Sequence, residues 1–194
     1  YISNRSSGKM GFALAQAAVD AGAATTLISG PVALPTPELV TRFNVQSARD
    51  MLDQSLALVP ECDIFIACAA VADYRPDSAQ SQKIKKGAER MTVQLVRNPD
   101  IVAAVAAHEE RPFTVGFAAE TNDVLTYARD KLARKNLDMI VANDVAGSET
   151  GFNSDENEVT VLWPQGELLL VRASKSTIAR QIVRLVAEKL SNSR

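Results

Sequence analysis

The sequence predicts an α/β fold: a doubly wound, Rossmann-like, mostly parallel sheet finished by a C-terminal β-hairpin and a closing helix. Three observations carry this. Short apolar runs alternate with helix-period segments from Gly8 to Ala142. The run DIFIACAA at Asp63–Ala70 is apolar at almost every position, as in a parallel strand covered on both faces. Near the end, Pro164, Gln165 and Gly166 separate two alternating runs, which is a hairpin signal.

Taken in order, Met10, Phe12, Ala13, Leu14 and Ala17 repeat at helical spacing between Gly8 and Ala21, and Gly22 stops that helix. Ala24–Ser29 reads as a buried strand closed by Gly30 and Pro31. A Pro-punctuated loop, a short strand at Phe43–Gln46 and a helix at Ala48–Leu58 follow. After the apolar strand at Asp63–Ala70 the alternation continues with a strand at Met91–Val96, a helix at Pro99–His108 capped by Asn98, and a strand at Phe113–Ala118. A helix at Asp123–Asn136 and a strand at Asp138–Ala142 complete it. Glu158–Trp163 and Glu167–Arg172 form the hairpin, and Ser174–Lys189 is an amphipathic last helix. A doubly wound domain begins with a strand feeding its first Gly-rich turn. This chain opens at the turn, so its first strand is expected to be missing and residues 1–194 to be a single, N-terminally truncated domain.

Composition narrows the function. With 21 Lys and Arg against 23 Asp and Glu, the net charge is -2, and no bulk positive field exists to hold nucleic acid or an anionic membrane. The longest apolar run, Ile64–Ala72, is far shorter than a bilayer span of about 20 residues. Cys62 and Cys68, six positions apart in a strand-like stretch, read as reduced thiols in a cytoplasmic protein. His108 is the only histidine, so a Cys/His zinc site and a Ser-His-Asp triad lack material, and no metal-ligating side chain is assigned. His108 itself reads as a solvated residue near a helix end.

Ligands of open α/β sheets bind beyond the carboxyl ends of the strands. Four segments fall there. Ser3–Gly11 leads into the first helix; Ser6, Ser7 and Gly8 let a backbone approach a phosphate or carboxylate, although Gly8 and Gly11 equally permit tight helix packing. The Asn4 amide either donates to an oxygen gaining negative charge or caps the turn. In Ala69–Pro76, small residues including Ala70 leave room for a flat base or sugar. Asp73 there suits a ribose hydroxyl, a metal-bound phosphate or a capped turn before Pro76. Lys83, Lys85 and Lys86 form a basic run, by default solvated, that is also suited to closing over a triphosphate. Lys131 and Lys135 stand one turn apart after GFAAET at Gly116–Thr121, and solvent or an anion must screen that pair.

ISNRSSGKMG at Ile2–Gly11, AAVADYRP at Ala69–Pro76, KIKK at Lys83–Lys86, NPDIV at Asn98–Val102, GFAAET at Gly116–Thr121 and KNLDMIVAND at Lys135–Asp144 together resemble the phosphopantothenate-cysteine ligase family. The likeness extends to GFNSDENE at Gly151–Glu158 and is strongest to the ligase half of the bacterial bifunctional enzymes. It implies CTP- and Mg²⁺-dependent conversion of 4'-phosphopantothenate to an acyl-cytidylate, then attack by the amine of L-cysteine, giving phosphopantothenoylcysteine and CMP in coenzyme A synthesis. It also implies that Asn4 holds the acyl-cytidylate carbonyl and that Lys83 assists its formation. Nucleotide contacts are implied at Ala67, Cys68, Ala69, Asp73, Pro99, Asp100, Ile101, Val102, Phe117, Lys131 and Lys135. A homodimer is implied, with the hairpin region helping pairing. The natural protein is expected to be fused to a flavin-dependent decarboxylase whose absence leaves no FMN chemistry here.

Two other readings stand beside it. Tyr127 and Lys131 have the Tyr-x-x-x-Lys spacing of short-chain, NAD(P)-dependent reductases. A nonenzymatic nucleotide-binding sensor would use the same strand ends but would need neither Asn4 nor Lys83.

Overall fold

The computed structural model describes residues 6–78, 82, 89–120, 123–144 and 154–193. In chain order the elements are α1 (Lys9–Asp20), β1 (Thr25–Ser29), β2 (Val40–Asn44), α2 (Ala48–Leu58), a 3₁₀ turn (Val59–Glu61), β3 (Ile64–Ala67), β4 (Tyr74–Pro76), β5 (Leu95–Arg97), α3 (Ile101–Ala106), β6 (Phe113–Glu120), α4 (Val124–Arg134), β7 (Met139–Asp144), β8 (Glu156–Trp163), β9 (Gly166–Ser174) and α5 (Lys175–Ser193).

The central sheet has the order β3-β6-β7-β8-β9. β3, β6 and β7 run parallel, whereas β7, β8 and β9 are antiparallel. β1 and β2 form a separate parallel pair. Strand alternation divides the core into two layers. Val115, Met139, Val141, Val159 and Val161 face α1 and α5, meeting Leu14, Ala17, Ile178, Ile182 and Val186. Ala118, Ile140, Ala142 and Leu162 face the other way, onto Ala106 of α3 and Ala128 and Leu132 of α4. Helices therefore cover both faces of the sheet, as the apolar runs predict, and the hairpin and closing helix take their expected places.

Gly116 shows how tightly the connection between α4 and β7 packs on the sheet. A Cβ there would come within 2.7 Å of Leu137 Cδ1. At the hairpin Trp163 packs against the core with Lys189 Nζ 3.8 Å from its ring centroid, so this aromatic finishes the molecule's own packing.

Several boundaries differ from the sequence reading. The strand expected at Met91–Val96 is instead the short β5, paired antiparallel to β4, a strand not anticipated, in a ribbon apart from the central sheet. Its alternating Met91, Val93 and Leu95 are all exposed, so the period-2 pattern did not mark a core face here. The expected strand at Phe43–Gln46 lies at Val40–Asn44, and that at Asp63–Ala70 stops at Ala67, the last residue in register with β6. Asp100, not Asn98, caps α3: its carboxylate accepts from Ala103 N at 3.2 Å. His108 is half-buried, and its Nδ1 accepts from Glu110 N at 3.1 Å. Cys62 and Cys68 are free thiols. Among the described residues no helix is long and apolar enough to cross a membrane.

Candidate functional site

The carboxyl ends of β3 and β6 lie side by side, because Ala67 is in register with Gly116. The chain leaves β3 through Cys68, Ala69, Ala70, Val71 and Ala72 to Asp73, while Phe117 continues β6. Around this edge the structure brings together most of the nucleotide-contact candidates. Lys131 of α4 donates from Nζ to the Phe117 carbonyl at 2.9 Å. Lys135, just past the end of α4, lies 2.7 Å from Asp100 Oδ2. The lysine pair is thus held by a carbonyl and a carboxylate of the protein, an explanation that spacing alone did not supply. Pro99 and Asp100 lead into α3, Ile101 is buried, and Val102 packs against the α3/α4 core layer.

Charge at this edge is organised by Asp100. Partial burial pushes its carboxyl upward, but the hydrogen bond from Lys135, that from Ala103 N, and the charges of Lys135 and Lys131 outweigh burial. The group stays ionised below the usual carboxylate range. An anionic cap on α3 and two cations at the end of α4 also match the helix dipoles.

The loop after β3 and the loop before α3 are joined by Asn98. Its backbone N donates to Asp73 O at 2.8 Å and its Nδ2 to Ala72 O at 2.8 Å. Arg75 Nη1 donates to Arg97 O at 2.6 Å and to Asn98 Oδ1 at 3.3 Å. The Asp73 residue itself is exposed.

Other candidates behave differently. Ser6 Oγ accepts from Gly8 N at 3.4 Å and Ser7 Oγ from Lys9 N at 3.5 Å, so both hydroxyls turn toward the start of α1. Gly8 adopts φ 77°, a left-handed value at which a side chain is strained. Cys68 packs against the α1/α5 core layer, and burial pushes its thiol up to about 12, with the Lys175 charge pulling only partly the other way. It fills space there as a protonated thiol. Asn4, Lys83, Lys85 and Lys86 lie outside the described residues. Tyr127 is exposed on α4, and the lysine four positions on, Lys131, is directed to Phe117.

Sequence reasoning missed a charged group beside the start of α1. Lys9 Nζ pairs with Asp155 Oδ1 at 2.6 Å, and Lys175 N donates to Asp155 O at 2.9 Å. Lys175 opens α5 at only 7% exposure; burial and the Lys9 charge hold its ammonium below the usual lysine value against the pull of Asp155 and Cys68. The Lys9–Asp155 pair spans 146 positions, a separation no local pattern reveals. Asn143, within the KNLDMIVAND motif, carries no assigned role, and among the described residues its buried Oδ1 has no hydrogen-bond partner.

A helix-covered sheet with a polar, lysine-bearing edge at its strand carboxyl ends defines an α/β domain with a candidate site where doubly wound sheets hold ligands. Residues 1–190 match the family described as DNA/pantothenate metabolism flavoprotein C-terminal domain, and the chain belongs to that family. The coenzyme A biosynthesis bifunctional protein CoaBC of Vibrio parahaemolyticus is 57% identical over 191 residues, covering 97% of this chain and 48% of the relative. The chain thus spans about half the length of the curated relatives it matches. A crystal structure of the C-terminal domain of CoaBC, 37% identical, aligns with a TM-score of 0.83 over 98% of this chain and 87% of that one. A Cab2 variant in complex with phosphopantothenate-cysteine, 17% identical, shares the fold with a TM-score of 0.76 over 99% of this chain and 82% of that one.

Proposed function

We propose that the chain is the ligase domain of a bifunctional coenzyme A biosynthesis protein, joining 4'-phosphopantothenate to L-cysteine at the expense of CTP. The observation that carries this reading is the 57% identity to CoaBC, a relative whose name states coenzyme A biosynthesis, extending over nearly the whole chain. The phosphopantothenate-cysteine complex of Cab2, which has the same fold, supports the ligase chemistry.

In the first step a carboxylate oxygen of phosphopantothenate attacks the α-phosphorus of CTP. The bond to the β-phosphate breaks, and pyrophosphate leaves with its electron pair. Lys83 is the group we assign to neutralising charge as this happens, a task of electrostatics more than of proton transfer. In the second step the cysteine amine attacks the acyl carbon, the bond to CMP breaks, and the nitrogen gives up a proton. We assign Asn4 to holding the carbonyl oxygen as it gains charge.

The lysines at the end of α4, the capped start of α3 and the small residues after β3 suit a triphosphate and a flat base at one edge, and this supports placing CTP there. Among the described residues no group of three His, Cys, Asp or Glu side chains is placed to hold a metal. Mg²⁺ would be carried by the CTP phosphates, where it would neutralise their charge. Exposed Leu168, Leu169 and Val171 on the edge strand β9 support pairing of two copies through the hairpin. Two free thiols support a reducing, cytoplasmic compartment.

The test is pyrophosphate release by the natural full-length protein given CTP, Mg²⁺ and 4'-phosphopantothenate, with and without cysteine. The reading requires release that depends on both CTP and phosphopantothenate, with CMP and the cysteine adduct appearing when cysteine is added. Failure of pyrophosphate to appear with any nucleoside triphosphate overturns it.

A further inference from the structure

We propose that Asn98 is a positioning residue for the nucleotide. It fastens the loop after β3 to the loop before α3, so that the contacts offered by Ala69–Asp73 and by Pro99–Val102 form one rigid wall. The inference rests on the reading of this edge as the CTP site.

Three bonds from one residue carry it. The backbone N of Asn98 reaches Asp73 O, and its Nδ2 reaches Ala72 O, both at 2.8 Å. Its Oδ1 accepts from Arg75 Nη1 at 3.3 Å, and the same nitrogen also donates to Arg97 O at 2.6 Å. The two loops are 26 positions apart in sequence and come from different elements. β4 and β5 pair Tyr74 with Arg97, and the bond from Asn98 N to Asp73 O is the last rung of that ladder, one that any residue there would make. Beyond it, the Asn98 side chain spans the loops through Nδ2 and Oδ1. The task needs a donor on one side and an acceptor on the other within a short side chain, a combination that an amide supplies and a carboxylate does not. Asn98 is half-buried, so an unmade bond at Ala72 O is not fully replaced by water.

The discriminating substitution is Asn98→Asp, which keeps the acceptor facing Arg75 and removes the donor facing Ala72. In the full-length protein we expect the KM for CTP to rise about tenfold, the KM for cysteine to stay within about twofold, and the melting temperature to fall by only about 2–4 °C, the loss of one half-buried hydrogen bond. A residue serving only stability would lower the melting temperature and leave the KM for CTP in place; that result, or an equal rise in both KM values, overturns the proposal. If Asn98→Asp does not accumulate in folded form, the surface change Arg75→Met decides instead. Loss of the bond that orients the Asn98 amide should raise the KM for CTP about threefold, and an unchanged value overturns the proposal. Wild-type protein that fails to turn over CTP defeats the ligase reading, whereas wild-type turnover with an unaffected Asn98→Asp variant defeats this inference alone.

Discussion

Lys135 Nζ stands 2.7 Å from Asp100 Oδ2, so the residue that closes α4 grips the residue that opens α3. Each charge sits at the helix end whose dipole favours it, and the Lys135 side chain is only 15% exposed. One ion pair therefore sets the spacing of two helices that flank the candidate nucleotide edge.

Asp100→Asn is expected to destabilise the protein by about 1 kcal/mol at pH 7, through loss of the charge paired with Lys135 and favoured by the helix dipole; the asparagine oxygen still accepts the capping bond, and solvent screening of the half-exposed carboxylate keeps the loss small. The Asp100 carboxyl is held below its unfolded value, so its stabilisation is fully present above the unfolded pKa and is lost as pH falls through the lower folded one. Urea titrations should show the two proteins converging below about pH 4. A gap that stays constant down to pH 2 would contradict the assignment.

Cys68 should be inert in the native state. With its thiol pushed up to about 12, the thiolate fraction at pH 8 is on the order of one part in ten thousand. Iodoacetamide at pH 8 is expected to leave Cys68 unmodified over hours and to label it within minutes in urea, read by peptide mass spectrometry. Rapid native labelling would mean that the sulfur is not enclosed by the core.

Gly8→Ala is expected to cost about 1–2 kcal/mol. The backbone there is left-handed at φ 77°, and a Cβ would lie 3.1 Å from Val32 Cγ1. Denaturant midpoints would register the loss, and a neutral substitution would show that the turn into α1 relaxes to an ordinary conformation.

Gly116→Val should be more damaging than Gly116→Ala. The first added carbon already meets Leu137 Cδ1 at 2.7 Å, a side-chain tip that can move, whereas the further methyls must displace a neighbour that is 4% exposed. Overpacking of this kind costs about 1–3 kcal/mol, and a smaller effect for valine than for alanine would exclude the proposed close approach.

The architecture was legible because buried parallel strands leave a compositional mark. Ile64–Ala67 and Met139–Ala142 are apolar at every position and Phe113–Ala118 at all but the buried Thr114, since helices cover both faces of the sheet. β4 and β5 were not legible for the opposite reason: the ribbon is exposed, so the alternation of Met91, Val93 and Leu95 reports no core. The strand ends and lysines of the candidate site could be named from spacing and resemblance, and the structure gathers Phe117, Lys131, Asp100 and Lys135. What could not be read was who holds whom. The attachment of Lys9 to Asp155, or of Asn98 to Ala72, depends on chain segments brought together only by folding.

The bridge at Asn98 also bears on how this edge can be altered. Loops that share a hydrogen-bonded tie do not respond to substitution one at a time, so the free-energy effects of changes at Asp73 and at Asp100 should fail to add. Any attempt to retune what the edge recognises would have to vary both loops as a single correlated unit, and a library confined to either loop would sample mostly broken combinations.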